Sequence, residues 1–242
     1  AVEARLDVAA PQLHVADARR SLGFLAAAVY GDPTEALEVV GLTGTNGKTT
    51  TTWIVDEALV ALGARPALLG TIESRGPGLR EPAPYTTPEG DAIARFARLA
   101  ADAGATHLVM EVSSHALAQH RADAVRFAVA GFTNLTQDHL DFHATMDAYY
   151  EAKARLFLEL SPEVAVINVD DPHGARLARE AVGVERRIRV SRAGAEAEVR
   201  AVAATLGREG IRAEVEVLGE RVALTSPMIG AHNLENLLLA LG

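Results

Sequence analysis

The densest chemistry in the chain sits at Gly44-Thr45-Asn46-Gly47-Lys48-Thr49, between an apolar run (Val39, Val40, Leu42) and an amphipathic segment. A phosphate group needs exposed backbone N–H groups at a helix N-terminus, glycines that let it approach, and one cationic point charge. Lys48 supplies the charge, and the Thr49 hydroxyl is of the type that holds Mg²⁺. The loop is a shortened form, because Leu42 stands where the usual phosphate-loop motif has its first glycine. Nucleotide binding is the expectation; a Gly-rich turn with no ligand is the bland alternative. No Asn-Lys pair occurs anywhere, so the base-reading motif of a GTPase is missing. Asp171-Pro172-His173-Gly174 fits an Asp-x-x-Gly pattern but reads better as a helix start.

Two further polar clusters follow apolar runs. Thr106 to Met110 ends in Glu111, and a carboxylate at the C-terminal end of a parallel strand lies beside such a loop, where a Mg²⁺ ligand is needed. Val112-Ser113-Ser114-His115, Gln119, His120 and Arg121 come next and open a helix facing the same edge. The second cluster is Asn134 to His143. His139 in it is a candidate metal or phosphate ligand, whereas His143 reads better as a loop residue. Lys153 falls in a helical stretch, where a lysine is ordinarily solvated, and nothing in its neighbours singles it out.

The elements that must position these groups alternate. Asp17 to Tyr30 reads as an amphipathic helix capped by Asp17 and stopped by Gly31-Asp32-Pro33. Strand, phosphate loop and helix then run from Glu38 to Gly63, and Ala67 to Thr71 is a second buried strand. Residues 73–87, rich in Gly and Pro, read as a long surface loop, after which Pro88 opens a helix that Gly104 closes. Strand, helix and strand are predicted at 107–112, 114–121 and 125–132, then a helix to about Leu160, with strands at 164–169 and 188–190. Glu198 to Thr205, Ile211 to Leu218 and Arg221 to Leu224 alternate with period 2, with Gly219-Glu220 as a tight turn, and Ala231 to Leu241 begins a last helix. The fold class is therefore α/β: a phosphate-loop, mostly parallel sheet flanked by helices, with a small antiparallel β-sheet near the C-terminal end.

Composition bounds the function. The 242 residues are 49% hydrophobic and 23% charged, ordinary globular values. A net charge of −9 argues against a nonspecific grip on nucleic acid or an anionic membrane. With no cysteine, disulfides, thiolate catalysis and Cys-based zinc sites are excluded. The longest uncharged apolar stretch, Leu22 to Tyr30, is too short to cross a bilayer, and the first residues show no signal-peptide pattern. A cytoplasmic protein is expected from this; action as a monomer is a separate expectation that composition does not supply.

Taken together, these residues resemble the central ATPase domain of the Mur ligases. Gly44-Thr45-Asn46-Gly47-Lys48-Thr49-Thr50 is similar to the loop of the wider superfamily, which includes folylpolyglutamate and cyanophycin synthetases. Thr86-Thr87-Pro88, the run Glu111 to Arg121 and the run Asn134 to His143 are more specific, and resemble the branch that adds the third amino acid to UDP-N-acetylmuramoyl-L-alanyl-D-glutamate. Asn168-Val169-Asp170-Asp171 and Gly230 to Asn236 also resemble family segments.

The resemblance implies an ATP-dependent amide ligase of peptidoglycan precursor synthesis, joining meso-diaminopimelate or L-lysine through an acyl phosphate. It implies ATP phosphates on Gly44, Thr45, Asn46, Gly47, Lys48, Thr49 and Thr50, and adenine near Asn134 and Asn236. It implies one Mg²⁺ on Thr49 and Glu111, and a second served by His139 and by Lys153 carbamylated on its side-chain nitrogen. Lys48, His139 and Lys153 would be the catalytic residues, and Thr86, Thr87, Ser113, Gln119 and Arg121 would grip the muramoyl-peptide substrate. Tyr85 departs from the pattern, since some relatives carry Asn there. By the same resemblance, residues 1–40 would be a remnant of the UDP-substrate-binding domain with its linker helix, residues 41–242 the central domain, and the C-terminal ligase domain would be absent, leaving a fragment without ligase activity of its own. The rival expectations are a folylpolyglutamate or cyanophycin synthetase-like ligase, and an ATP-binding module that performs no ligation.

Overall fold

Strands that are apolar on both faces are satisfied only within a sheet covered on both sides. The computed structural model, which describes residues 1–242, builds that sheet from eleven strands. They are β1 (Glu38–Thr43), β2 (Pro66–Leu69), β3 (Glu73–Gly76), β4 (Leu79–Pro82), β5 (His107–Glu111), β6 (Val129–Phe132), β7 (Val164–Asn168), β8 (Arg186–Ser191), β9 (Val199–Gly207), β10 (Gly210–Val217) and β11 (Glu220–Ser226). The helices are α1 (Ala18–Val29), α2 (Lys48–Ala61), α3 (Gly90–Asp102), α4 (Ser114–Ala118), α5 (Leu140–His143), α6 (Met146–Leu158), α7 (Pro172–Glu180) and α8 (Ala231–Leu241).

The sheet order is β11-β10-β9-β8-β7-β6-β1-β5-β2-β3-β4, and the pairs from β9 to β2 are all parallel. Strand β1 is central, with β5 on one side and β6 on the other. Successive strands thus depart from β1 in opposite directions, and a crevice opens at its C-terminal end. One face is sealed by Ile93, Phe96, Leu117, Tyr149, Phe157 and Leu177 from α3, α4, α6 and α7. The other carries Leu234, Leu238 and Leu239 of α8 against Leu42, Val166, Ile188 and Ile211.

Local signals act as the sequence requires. Asp17 caps α1 by accepting from Arg20 N, and Asp171 caps α7 by accepting from the N–H groups of His173 and Gly174. The antiparallel meander β9–β10–β11 is present and joins the main sheet through the β8–β9 pair.

Three local expectations are corrected. Residues 73–87 are not one long loop: β3 and β4 pair as a hairpin in register Glu73↔Pro82 to Gly76↔Leu79. These four-residue polar strands are too short for a period-2 signal, and tertiary contacts hold them, with Arg75 paired to Asp56 and Glu57 of α2 and stacked 4.3 Å from the Trp53 ring. Pro88 does not open α3; it lies in the extended approach, and the helix starts at Gly90 after an extended Glu89. The β10–β11 turn is Leu218-Gly219, not Gly219-Glu220, with both residues at positive φ (52° and 92°), as a tight hairpin turn demands.

Candidate active site

The loop after β1 adopts a backbone that glycine alone tolerates at two positions. Gly44 has φ 144° and Gly47 φ 88°; a Cβ on Gly44 would collide with Thr133 Oγ1, and one on Gly47 with Asn236 Oδ1. The loop is laced to the segment following β6. Thr45 N donates to Asn134 O at 2.8 Å and Asn46 N to Asn134 Oδ1 at 3.0 Å, while Asn134 Nδ2 and Thr133 Oγ1 donate back to Asn46 O. Asn46 Nδ2 reaches Thr136 Oγ1, and Thr45 Oγ1 lies 3.1 Å from the Tyr149 hydroxyl. The first hydrogen bond of α2 is Thr51 N to Gly47 O, so the amides of Lys48, Thr49 and Thr50 face the crevice without helical acceptors. Asn236, buried on α8, accepts from Thr51 Oγ1 at 3.3 Å.

Lys48 curls back onto its own loop, donating to Gly44 O at 2.8 Å and Thr45 O at 3.0 Å. Lys153 is the clearest correction to the plain reading of the sequence. It is 1% exposed, not solvated, and donates to the same Gly44 carbonyl at 2.8 Å, with its amine 4.5 Å from the Tyr149 ring centroid. Burial depresses the pKa of both amines; that of Lys153 falls well below the ordinary lysine value, with the nearby Lys48 charge adding to the effect.

Glu111 ends β5 beside this loop. Its Oε2 accepts from Thr49 Oγ1 at 2.8 Å, and its Oε1 accepts from Thr71 N at 2.7 Å. His139 is exposed and held at φ 51°, a left-handed conformation that costs a non-glycine residue of order 1 kcal/mol. Its ring lies 4.8 Å from that of His115 and 6.1 Å from that of Tyr149, so His139 and Lys153 both border Tyr149. His143 is buried, stacks on Tyr149 and bonds Ser114 Oγ at 2.9 Å; burial, with His115 nearby, pushes its pKa down to about 4.

The other group of expected contacts borders Glu111. Thr86 Oγ1 lies 3.1 Å from Thr71 Oγ1. Thr87 is 1% exposed and its hydroxyl is committed inward, donating to Glu111 O and accepting from Ser113 N, both at 2.9 Å. Ser113 caps α4 through Ala116 N. Arg121 donates to Thr87 O at 3.0 Å and Gln119 Oε1 at 2.6 Å, and its Nε lies 3.0 Å from Glu89 Oε1. Tyr85 places its ring 5.6 Å from the Arg121 guanidinium. All the expected positions therefore gather along one edge of the sheet, with Asn236 reaching it from α8.

Sequence reasoning missed Thr71, Glu89, Thr136 and Tyr149, which hold these groups. Two signals were available: Glu89 directly follows Thr86-Thr87-Pro88, and Thr136 lies within the polar run Asn134 to His143.

The donor set suits a Mg²⁺-nucleotide. The buried amine of Lys153 and the half-buried one of Lys48 converge on one neutral carbonyl, a pair that an anion would neutralise, and Thr49 and Glu111 present hard oxygens as Mg²⁺ prefers. No three His, Asp or Glu side chains converge on one metal position, so phosphate oxygens and water would complete the coordination of a Mg²⁺ held there.

Residues 42–242 match the Mur ligase middle domain. The chain belongs to that family. It is 46% identical over 235 residues to UDP-N-acetylmuramoyl-L-alanyl-D-glutamate--2,6-diaminopimelate ligase of Geobacter metallireducens, covering 94% of this chain and 45% of that protein. The protein of the same name from Parasynechococcus marenigrum is 45% identical over 227 residues, covering 92% and 45%. A solved structure of a UDP-N-acetylmuramoyl-L-alanyl-D-glutamate--2,6-diaminopimelate ligase superposes with a TM-score of 0.88 at 31% identity, covering 98% of this chain and 49% of that one. Mycobacterium tuberculosis folylpolyglutamate synthase in complex with ADP shares the fold, with a TM-score of 0.74 at 20% identity and coverage of 93% and 57%. This Mur ligase middle domain thus spans about half the length of the curated relatives it matches. No helix in it is long and apolar enough to cross a membrane.

Proposed function

We propose that this Mur ligase domain binds ATP and activates a carboxylate in a ligase that joins 2,6-diaminopimelate to UDP-N-acetylmuramoyl-L-alanyl-D-glutamate. The observation that carries the reading is the position of Glu111, hydrogen-bonded on one side to Thr49 of the phosphate loop and on the other to Thr71, which contacts Thr86. A group between the two half-sites can serve a phosphate and a carboxylate acceptor together. The choice of diaminopimelate over L-lysine follows the names of relatives at 42–46% identity, against 20% for the folylpolyglutamate synthase.

In this reading Gly44 to Thr50 cradle the phosphates, and Asn134 and Asn236 border the adenine. Thr49 and Glu111 hold one Mg²⁺, and His139 with carbamylated Lys153 serves a second. The ions supply neutralisation of phosphate charge. The residues themselves position and exclude: Lys48 offers its ammonium to the transferred phosphoryl group, and the α2 amides orient it. Burial favours the neutral amine of Lys153, the form that adds CO₂, and carbamylation turns a cation that repels Mg²⁺ into an anionic oxygen ligand. Thr86, Ser113, Gln119 and Arg121 orient the muramoyl-peptide, with Thr87 holding the end of β5 from behind. Residues 41–242 form the central domain and residues 1–40 the end of a UDP-substrate-binding domain with linker helix α1. The reading carries a cytoplasmic location and action as a monomer.

The test is calorimetric titration of the 242-residue chain with ATP, GTP and UDP-N-acetylmuramoyl-L-alanyl-D-glutamate, each with Mg²⁺, followed by assay for tripeptide product. ATP binding, weak affinity for the UDP-sugar and no ligation by this chain alone are expected. Absence of ATP binding overturns the proposal, and substantial product would show that this chain suffices for the reaction.

A further inference from the structure

Thr71 lies just past the end of β2, exposed in the crevice, and neither the loop motif nor the runs at 86–88 and 111–121 include it. Its backbone N–H donates to Glu111 Oε1 at 2.7 Å. Its hydroxyl lies 3.2 Å from Glu111 Oε2 and 3.1 Å from Thr86 Oγ1. One residue therefore touches both oxygens of the carboxylate. The carboxylate also lies against the chain just before Thr71: a Cβ on Gly70 would sit 2.7 Å from Glu111 Oε1, so any other residue there would push the carboxylate aside.

The other donor to this carboxylate is Thr49 Oγ1, at 2.8 Å. If Thr49 and Glu111 turn their oxygens to one Mg²⁺, Thr71 is the neutral donor left to fix the carboxylate plane. Groups that orient a metal ligand in this way typically govern metal affinity by 10- to 100-fold. The hydroxyl has a single proton and two neighbours, so it also joins the metal ligand to Thr86 of the loop that precedes α3.

We infer that Thr71 is a positioning residue for the metal half of the site: its hydroxyl orients Glu111 toward Mg²⁺ and ties that carboxylate to Thr86. The inference rests on the reading above that Glu111 and Thr49 hold Mg²⁺. It concerns the hydroxyl alone, since the backbone N–H bond to Glu111 is kept by every replacement except proline.

The experiment is calorimetric titration of ATP into the 242-residue chain across a series of Mg²⁺ concentrations, with affinity in EDTA as the reference for each variant. Thr71→Val keeps the β-branched shape and loses the hydroxyl, and Thr71→Ser keeps the hydroxyl. Thr71→Val is expected to need about tenfold more Mg²⁺ for its gain in ATP affinity, while Thr71→Ser stays within about twofold of the parent. Thr71→Ala repeats the test without added bulk should valine disturb the fold, which circular dichroism reports. Parent-like Mg²⁺ dependence in Thr71→Val, or equal impairment of Ser and Val, overturns the inference. Glu111→Gln separates the two readings. If it weakens Mg²⁺ dependence and Thr71→Val does not, only the role of Thr71 falls. If Glu111→Gln has no effect, the metal assignment falls and takes Thr71 with it.

Discussion

The amines of Lys48 and Lys153 share one acceptor, each donating to the carbonyl of Gly44 at 2.8 Å. Two ammonium groups on one neutral oxygen repel each other, and burial disfavours the charge on both. The arrangement favours an anion in front of the loop and a neutral amine at Lys153, the deeper of the two.

Lys48→Ala should abolish measurable ATP binding while leaving the circular dichroism spectrum intact. Lys48 is the only cation in the loop, and its removal relieves the repulsion on Lys153. Unchanged nucleotide affinity in a folded variant would sink the phosphate-loop assignment.

Lys153 separates packing from chemistry. Because it is buried, Lys153→Ala should cost the chain about 2 kcal/mol through the cavity it leaves, whereas Lys153→Met, which fills the space without a charge, should be neutral or stabilising. The sign of its pH dependence follows from its lowered folded-state pKa: the unfolded chain holds the proton to higher pH, so stability should rise with pH toward 10.5 in the parent, and less so in Lys153→Met. Thermal unfolding across that range measures both. In a ligase of the relatives' full length, Lys153→Ala should lose turnover, and added short-chain carboxylic acids should restore part of it. Near-normal turnover would remove the carbamate from the site.

Glu89 bridges two cations, with Arg19 Nη2 at 3.0 and 3.1 Å from its oxygens and Arg121 Nε at 3.0 Å. Glu89→Gln keeps the shape and removes the charge that fixes Arg121. In the full-length ligase the KM for the muramoyl-dipeptide should rise about fivefold, the equivalent of about 1 kcal/mol, with ATP affinity unchanged. Equal losses for both ligands would mean that Glu89 supports the fold rather than the substrate end.

His143 offers a stability test at acid pH. Its folded pKa of about 4 lies below the ordinary 6.5, so the unfolded chain binds its proton first. Stability is therefore complete above pH 6.5 and is lost as pH falls toward 4, by at most about 3 kcal/mol. His143→Gln, which keeps an amide near Ser114 Oγ, should flatten the melting temperature across that window. An unchanged slope would assign the acid sensitivity to other groups.

The phosphate loop was legible because its signal is contiguous: an apolar strand, two glycines needed for positive φ, and Lys-Thr opening a helix all lie within Glu38 to Ala61. Caps at Asp17 and Asp171 and the period-2 meander are local for the same reason. Periodicity reports the backbone of one segment, so it could place Glu111 at a strand end but could not say which side chain meets it. The β3–β4 hairpin was hidden because its short polar strands are held by Asp56 and Glu57 of α2. Lys153 read as a surface residue because its helix is only weakly patterned; Tyr149 and the Gly44 carbonyl, 109 residues away, close over it. Thr71 against Glu111, Glu89 against Arg19 and Tyr149 against Thr45 join residues 40, 70 and 104 positions apart. Sequence determined the chemistry available at the end of each strand. The order in which β5, β1 and β6 lie side by side decided which of those groups share one crevice, because strand order depends on how the helices pack across the sheet.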